Sequence, residues 1–152
     1  AMAMLRIEAG RALAGKEFHL GAGQSSAADP FEAGIGFTVP LDTTMDDFIG
    51  RDALVQRKEK QNRALGGLEL LGEAGGAGNQ GNTVFVGGNQ VGEITSGMRS
   101  PVLGKSIGLC RIDADYVKLG TKVEVAAAEK RRPGVVVQFP HYDPDQTKVR
   151  IS

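Results

Sequence analysis

The chain has 152 residues, with 18 basic side chains against 18 acidic ones and a formal charge of zero. That balance removes any electrostatic basis for binding nucleic acid or an anionic membrane surface. A hydrophobic fraction of 41% supports one domain or two small ones, and no apolar run approaches the roughly 20 residues that span a bilayer.

Taken in order, residues 4–9 have helical composition, and Gly10 suits the C′ position. Two turns of helix are marginal alone in water. The helix therefore needs tertiary support, and the expectation is that a missing N-terminal half or a partner chain supplies it. Glu8 falls in the last turn, where a carboxylate opposes the helix dipole by about 0.3–1 kcal/mol. A salt bridge to Arg11 or Lys16 would offset this. Residues 14–28 read as a loop, and His19 stands there with no second ligand at metal spacing. Asp29-Pro30 is a turn signal. Ile35, Phe37 and Val39 then alternate with Gly36, predicting a short, closely approached strand that Pro40 ends. Residues 51–62 predict a helix, with Gly50 as N-cap and Asp52 at the positive end of the dipole. Ala53, Leu54 and Arg57 share one face, and Lys58, Glu59 and Lys60 face water. Arg51 is either a surface residue or an ion-pair partner of Asp47.

From residue 63 the chain reads as strands separated by turns. Residues 64–71 form the first. The glycine-rich stretch 72–82 lacks the Gly-Lys-Ser/Thr ending of a P-loop and precedes a strand, so it reads as an inter-strand loop. Residues 83–86 and 91–95 flank Gly87-Gly88-Asn89-Gln90, a hairpin signal. Ser96-Gly97 predicts a break. Residues 106–112 form another strand, with Ile107, Leu109 and Arg111 on one face. Cys110, the only cysteine, reads as a packing residue rather than a nucleophile. It excludes an internal disulfide and fits a reducing, cytoplasmic compartment. Residues 122–128 and 135–139 form a second hairpin around Lys130-Arg131-Arg132, read as a solvated turn. Residues 148–151 read as a final edge strand. The acid pairs Asp46-Asp47 and Asp113/Asp115 read as turn or cap residues.

Five or six antiparallel strands without a long helix hide their edges by closing into a barrel or jelly roll. The fold class is thus an α+β N-terminal segment, residues 1–62 (helix, strand, helix), followed by a mainly antiparallel β-barrel or jelly-roll-like domain, residues 63–152. Two histidines and one cysteine in unrelated contexts build no Ser–His–Asp or Cys–His nucleophile.

Three stretches carry a resemblance. Leu5 to Gly10 reads LRIEAG. Pro30 to Val39 reads PFEAGIGFTV, followed by DFIGRDAL from Asp47 to Leu54. Val91 to Leu103 reads VGEITSGMRSPVL. In this order they resemble the aminomethyltransferase family, the T-protein of the glycine cleavage system, over nearly all of the chain. The resemblance implies a one-carbon transfer to tetrahydrofolate, a lipoyl carrier protein as partner, and a C-terminal β-barrel. It implies that Glu8 hydrogen-bonds the pterin ring, a task that suits a carboxylate, which accepts two parallel N–H bonds. The family's catalytic aspartate belongs to an N-terminal half without counterpart here, so no catalytic residue is assigned. The tail Phe139-Pro140-His141-Tyr142-Asp143-Pro144 resembles the P-x-Y-D-P ending of dimethylglycine and sarcosine dehydrogenases. Tyr142 either lines the folate site or packs on the barrel surface. Two departures stand out. Asn79 or Gln80 occupies a position where the family often has arginine. Asp42 and Thr43 lie where some members bind the folate tail through another arginine. The alternative function is a non-catalytic folate-binding or docking module of a flavin-dependent dimethylglycine or sarcosine dehydrogenase-like enzyme. Apolar surface left uncovered predicts self-association.

Overall fold

A computed structural model describes residues 2–18, 28–41, 48–72, 78–127, 130–145 and 147. Six strands make a closed antiparallel barrel: β1 (Arg63–Leu70), β2 (Thr83–Val86), β3 (Asn89–Ser100), β4 (Lys105–Asp113), β5 (Lys122–Ala127) and β6 (Lys130–Val137). Around the barrel the order is β1-β4-β3-β2-β5-β6. The β1–β6 ladder, with Leu68 opposite Val136, closes it and leaves no open edge. The interior is one apolar cluster that includes Leu68, Leu70, Val84, Cys110, Ile112 and Val125. Along β1, β4 and β5 these residues alternate with period two, as a strand requires. The β2–β3 turn is Gly87-Gly88, with φ of 57° and 88°. Both central residues of a type I′ turn need positive φ, so glycine suits each.

β3 departs from regular pairing twice. Its register slips against β2 between Val84 and Phe85, and against β4 between Ile94 and Ser96. Each slip inserts one extra residue, a β-bulge. Val91 and Ile94, three apart, thereby both reach the interior. The break expected at Ser96-Gly97 does not occur: both residues pair in register with Leu109 and Gly108, the bulge lies one residue earlier at Thr95, and the strand runs on to Ser100.

Outside the barrel lies a second layer. Ile107, Leu109 and Arg111 share a face of β4, as read from the sequence, and all three are buried although they point outward. Helix α1 (Met2–Glu8) covers β3 and β4. Ala33 and Leu41, from the segment between α1 and the barrel, are buried as well.

Three further expectations are corrected. Residues 35–39 form no strand; a 3-10 turn, Gly36–Thr38, stands there. The Asp29 carboxylate accepts the N–H groups of Phe31 and Glu32 at 2.9 Å each. Backbone bonds from Ala33 to Asp29 and from Ile35 to Pro30 then complete a local coil. A strand needs a ladder partner, and no described strand pairs with this segment. Secondly, Lys130-Arg131-Arg132 is no turn but the start of β6. Arg131 pairs with Glu124 at 3.0 Å and lies 4.2 Å from the centre of the Phe85 ring. Thirdly, helix α2 (Arg51–Glu59) is shorter than 51–62 and buries no residue; Ala53 and Arg57 are as exposed as the lysines beyond them. Gly50 precedes it at φ 93°. The strand expected at 148–151 lies outside the described residues.

Candidate functional site

Helix α1 has only two buried residues, Ile7 and Glu8. Glu8 is 5% exposed, and its Oε1 accepts the hydroxyl of Ser100 at 2.5 Å. Ser100, the last residue of β3, is fully buried, and its Oγ accepts the N–H of Leu103 at 3.1 Å. Among the described residues Glu8 Oε2 has no hydrogen-bond donor. The expected salt bridges of Glu8 do not form. Lys16 Nζ instead donates to Gln80 Oε1, and Arg11 meets Arg6 through its carbonyl oxygen.

The Glu8 carbonyl oxygen belongs to the last helical turn, which leaves backbone acceptors unpaired. It accepts the N–H of Tyr142 at 3.0 Å. The tail reaches this point by crossing the outer face of β1 at Gly67, where a Cβ would stand 2.8 Å from Val137 O and 3.1 Å from Phe139 Cβ. It then passes Gly10, which sits at φ 62° directly under the Phe139 ring and Pro140. The Phe139-Pro140 peptide is cis. His141 Nε2 lies 3.0 Å from Gly108 O. Burial holds the His141 pKa below its ordinary value, partly opposed by the Gly108 carbonyl and by the Glu69 charge.

A second carboxylate anchors α1. Glu17 is 1% exposed. Its Oε2 accepts from Arg6 Nη1 at 2.9 Å and from the Leu13 N–H at 2.8 Å. Its Oε1 accepts the hydroxyls of Thr95 at 3.0 Å and Ser96 at 2.5 Å. Neighbours on a regular strand point to opposite faces. The bulge beside Ile94 is what lets two successive hydroxyls reach one oxygen. Arg6 Nη2 also donates to Ser96 Oγ at 2.8 Å, closing the network.

Burial pushes the Cys110 thiol up to about 12, so it is an inert packing group, as read from the sequence. Burial also raises the Glu32 pKa, with Asp29 adding to the effect and Arg111 opposing it. Arg111 pairs with Glu93 at 2.7 Å. An open groove of about 620 Å³, lined by Leu71, Phe85 and Pro133 among others, lies along β5 and β6. That is the side of the barrel away from α1.

The arrangement of barrel, arm and tail has known counterparts. The sequence profile of the glycine cleavage T-protein C-terminal barrel domain matches residues 63–143. The chain belongs to that family.

Relatives of this T-protein barrel are longer proteins. It is 48% identical over 153 residues to the trimethylamine-oxide aldolase of Ruegeria pomeroyi, covering 99% of the chain but 18% of that protein. It is 40% identical over 139 residues to an aminomethyltransferase of Listeria monocytogenes, covering 91% of the chain and 36% of that protein. The crystal structure of the glycine cleavage system aminomethyltransferase T from Bartonella henselae superposes with a TM-score of 0.76 at 23% identity. That match spans 93% of the chain and 38% of the other, and it establishes the fold. The T-protein barrel thus spans under two-fifths of the length of these proteins.

Of the two residues singled out from the sequence, Glu8 is buried beside β3, and Tyr142 is 36% exposed and bonded to it through the backbone. Asn79 donates its N–H to Asn82 Oδ1 at 2.6 Å, and Gln80 holds Lys16. Arg51 donates to the Leu41 carbonyl at 3.3 Å. His19, Asp42, Thr43, Asp46 and Asp47 lie outside the described residues. Sequence reasoning missed Glu17, Arg6 and Ser100. Ser100 and Ser96 stood inside a motif used for the family resemblance, which was their only signal. Glu17 had none.

Proposed function

We propose that this chain is the C-terminal part of a tetrahydrofolate-dependent one-carbon transfer protein of the glycine cleavage T-protein type. One observation carries the reading: the buried Glu8 carboxylate keeps Oε2 without a donor among the described residues. An open acceptor of this kind fits one N–H of a 2-amino pyrimidinone edge, and the second lone pair of Oε1 can take the adjacent one. Glu8 would hold the pterin, with Tyr142 beside it. Tetrahydrofolate supplies the nucleophilic nitrogen that takes up the one-carbon unit. The chain's own residues bind and orient it, and the catalytic groups belong to an N-terminal half. Met2, Leu5, Phe37 and Ile49 are all exposed. We assign these exposed apolar side chains to contact with that half, with self-association when they are uncovered. A lipoyl carrier protein is the proposed donor partner. The buried thiol of Cys110 suits a reducing, cytoplasmic setting.

Calorimetric titration of tetrahydrofolate into the complete protein tests this. Glu8→Ala should weaken binding by about 1.5–3 kcal/mol, the worth of a charged hydrogen bond. Unchanged affinity would sink the role of Glu8.

A second reading is the folate-binding module of an amine-demethylating enzyme. The 48% identity to a protein named trimethylamine-oxide aldolase favours it, as does the His141-Tyr142-Asp143-Pro144 tail. Supplying the complete protein with tetrahydrofolate and either an aminomethyl-lipoyl carrier or a methylated amine separates the two. The donor that is consumed names the branch.

A further inference from the structure

We propose that Ser100 is a positioning residue of this site, turning the Glu8 carboxylate so that Oε2 is the oxygen left for the ligand. The inference rests on the folate reading above. A serine hydroxyl has one proton to give and two lone pairs to accept with. The Leu103 N–H already points at Ser100 Oγ, 3.1 Å away. The side chain is fully buried, so water offers no alternative acceptor. Its one proton is therefore committed to Glu8 Oε1, because a buried hydroxyl without an acceptor is costly.

The fold holds both ends of this bond. Ser100 is the last position of β3, on the face it shares with Ser96, Met98 and, across the ladder, Leu109 and Ile107. The turn after it is closed by the Gly104 N–H donating to the Ser100 carbonyl at 2.9 Å. Glu8 comes from the other side on α1, which the Arg6–Glu17 pair clamps to Ser96. A carboxylate with one oxygen engaged presents the other in a fixed plane. Without Ser100 it would turn about its last side-chain bond and share both oxygens between competing orientations.

A purely structural Ser100, one that only holds the following turn through the Leu103 N–H, would act independently of the carboxylate. A double-mutant cycle separates the two roles. Tetrahydrofolate is titrated into the complete protein as wild type, Ser100→Ala, Glu8→Ala and the double variant, and the melting temperature of each is recorded. Ser100→Ala should weaken binding about five- to twentyfold in the wild-type background. In the Glu8→Ala background it should change affinity less than about twofold. Equal weakening in both backgrounds overturns the proposal, as does wild-type affinity in Ser100→Ala. If Glu8→Ala itself binds normally, the role of Glu8 falls and takes this proposal with it; if the wild type does not bind tetrahydrofolate, the folate reading falls. Ser100→Cys, which keeps a weak donor at similar volume, should show intermediate affinity. It carries the same cycle should Ser100→Ala fail to fold.

Discussion

The backbone N–H of Tyr142 donates to the carbonyl oxygen of Glu8 at 3.0 Å. The two candidate folate residues, near opposite ends of the chain, are thus joined through main-chain atoms. The bond caps the short helix that carries Glu8. It needs the tail to lie flat on β1, and it makes the tail part of the site rather than an appendage.

Gly67→Ala should loosen that tail. The new methyl would stand 2.8 Å from the Val137 carbonyl oxygen and 3.1 Å from Phe139 Cβ. Backbone on one side and packed side chain on the other leave little room to yield. Overpacking of this kind costs about 1–3 kcal/mol. Urea unfolding should show the loss, and amide exchange at Tyr142 should quicken more than at Leu68. Equal exchange at the two would mean that the tail is held elsewhere.

Glu17→Ala should be more damaging. It strips the carboxylate from Arg6 and leaves the Ser96 hydroxyl without its acceptor, while Thr95 keeps the Leu109 carbonyl. The Arg6 side chain is only 13% exposed. Leaving a buried charge unpaired costs about 3–5 kcal/mol. Arg131→Ala makes the control, since Arg131 and Glu124 are both about half exposed. That surface pair should be worth less than about 1 kcal/mol. Similar losses for the two variants in chemical denaturation would refute the buried-anchor account.

His141 should give the fold a dependence on pH. Its folded pKa lies below the ordinary value of 6.5 because burial favours the neutral ring. Between those two values the unfolded chain binds more protons, so stability rises with pH. The contribution is present above pH 6.5 and is lost as pH falls through the folded value. His141→Asn should lower stability at pH 7.5 and flatten this slope. Unfolding free energies of both proteins at pH 7.5 and pH 5 supply the comparison. A parallel decline in both would assign the slope to groups other than His141; the raised carboxyl of Glu32 acts in the opposite direction.

Cys110 should be silent in the native state. It lies inside the barrel with its thiol pushed up to about 12. An aromatic disulfide reagent at pH 8 should label it only as fast as the barrel opens. Rapid labelling of folded protein would contradict the closed interior.

Much of the barrel was legible in the sequence because its signals are local. Alternating apolar residues in 64–71, 83–86 and 106–112 encode strands. Gly87-Gly88 encodes its hairpin through positive φ, and a set of strands without covering helices must close on itself. Glu8 and Tyr142 stood out through their motifs, and the tail's prolines and tyrosine marked it as unusual.

What tertiary structure alone decided was every feature that depends on a distant neighbour. The alternation at 35–39 looked like a strand, yet a ladder needs a second backbone, and the Asp29 carboxylate supplied a local coil instead. Ser96-Gly97 looked like a break, but regular pairing with Leu109 and Gly108 of β4 carried the strand through it. The basic run looked like a turn, but pairing with β5 made it the start of a strand, with Arg131 still at the surface beside Glu124 and Phe85. Glu17 carried no local mark at all; its role arises from hydroxyls on β3 that the chain meets some eighty residues later. Local periodicity reports which face of a strand or helix is apolar. It cannot report which polar group will meet which, because that is set by register, bulges and closure across the whole fold.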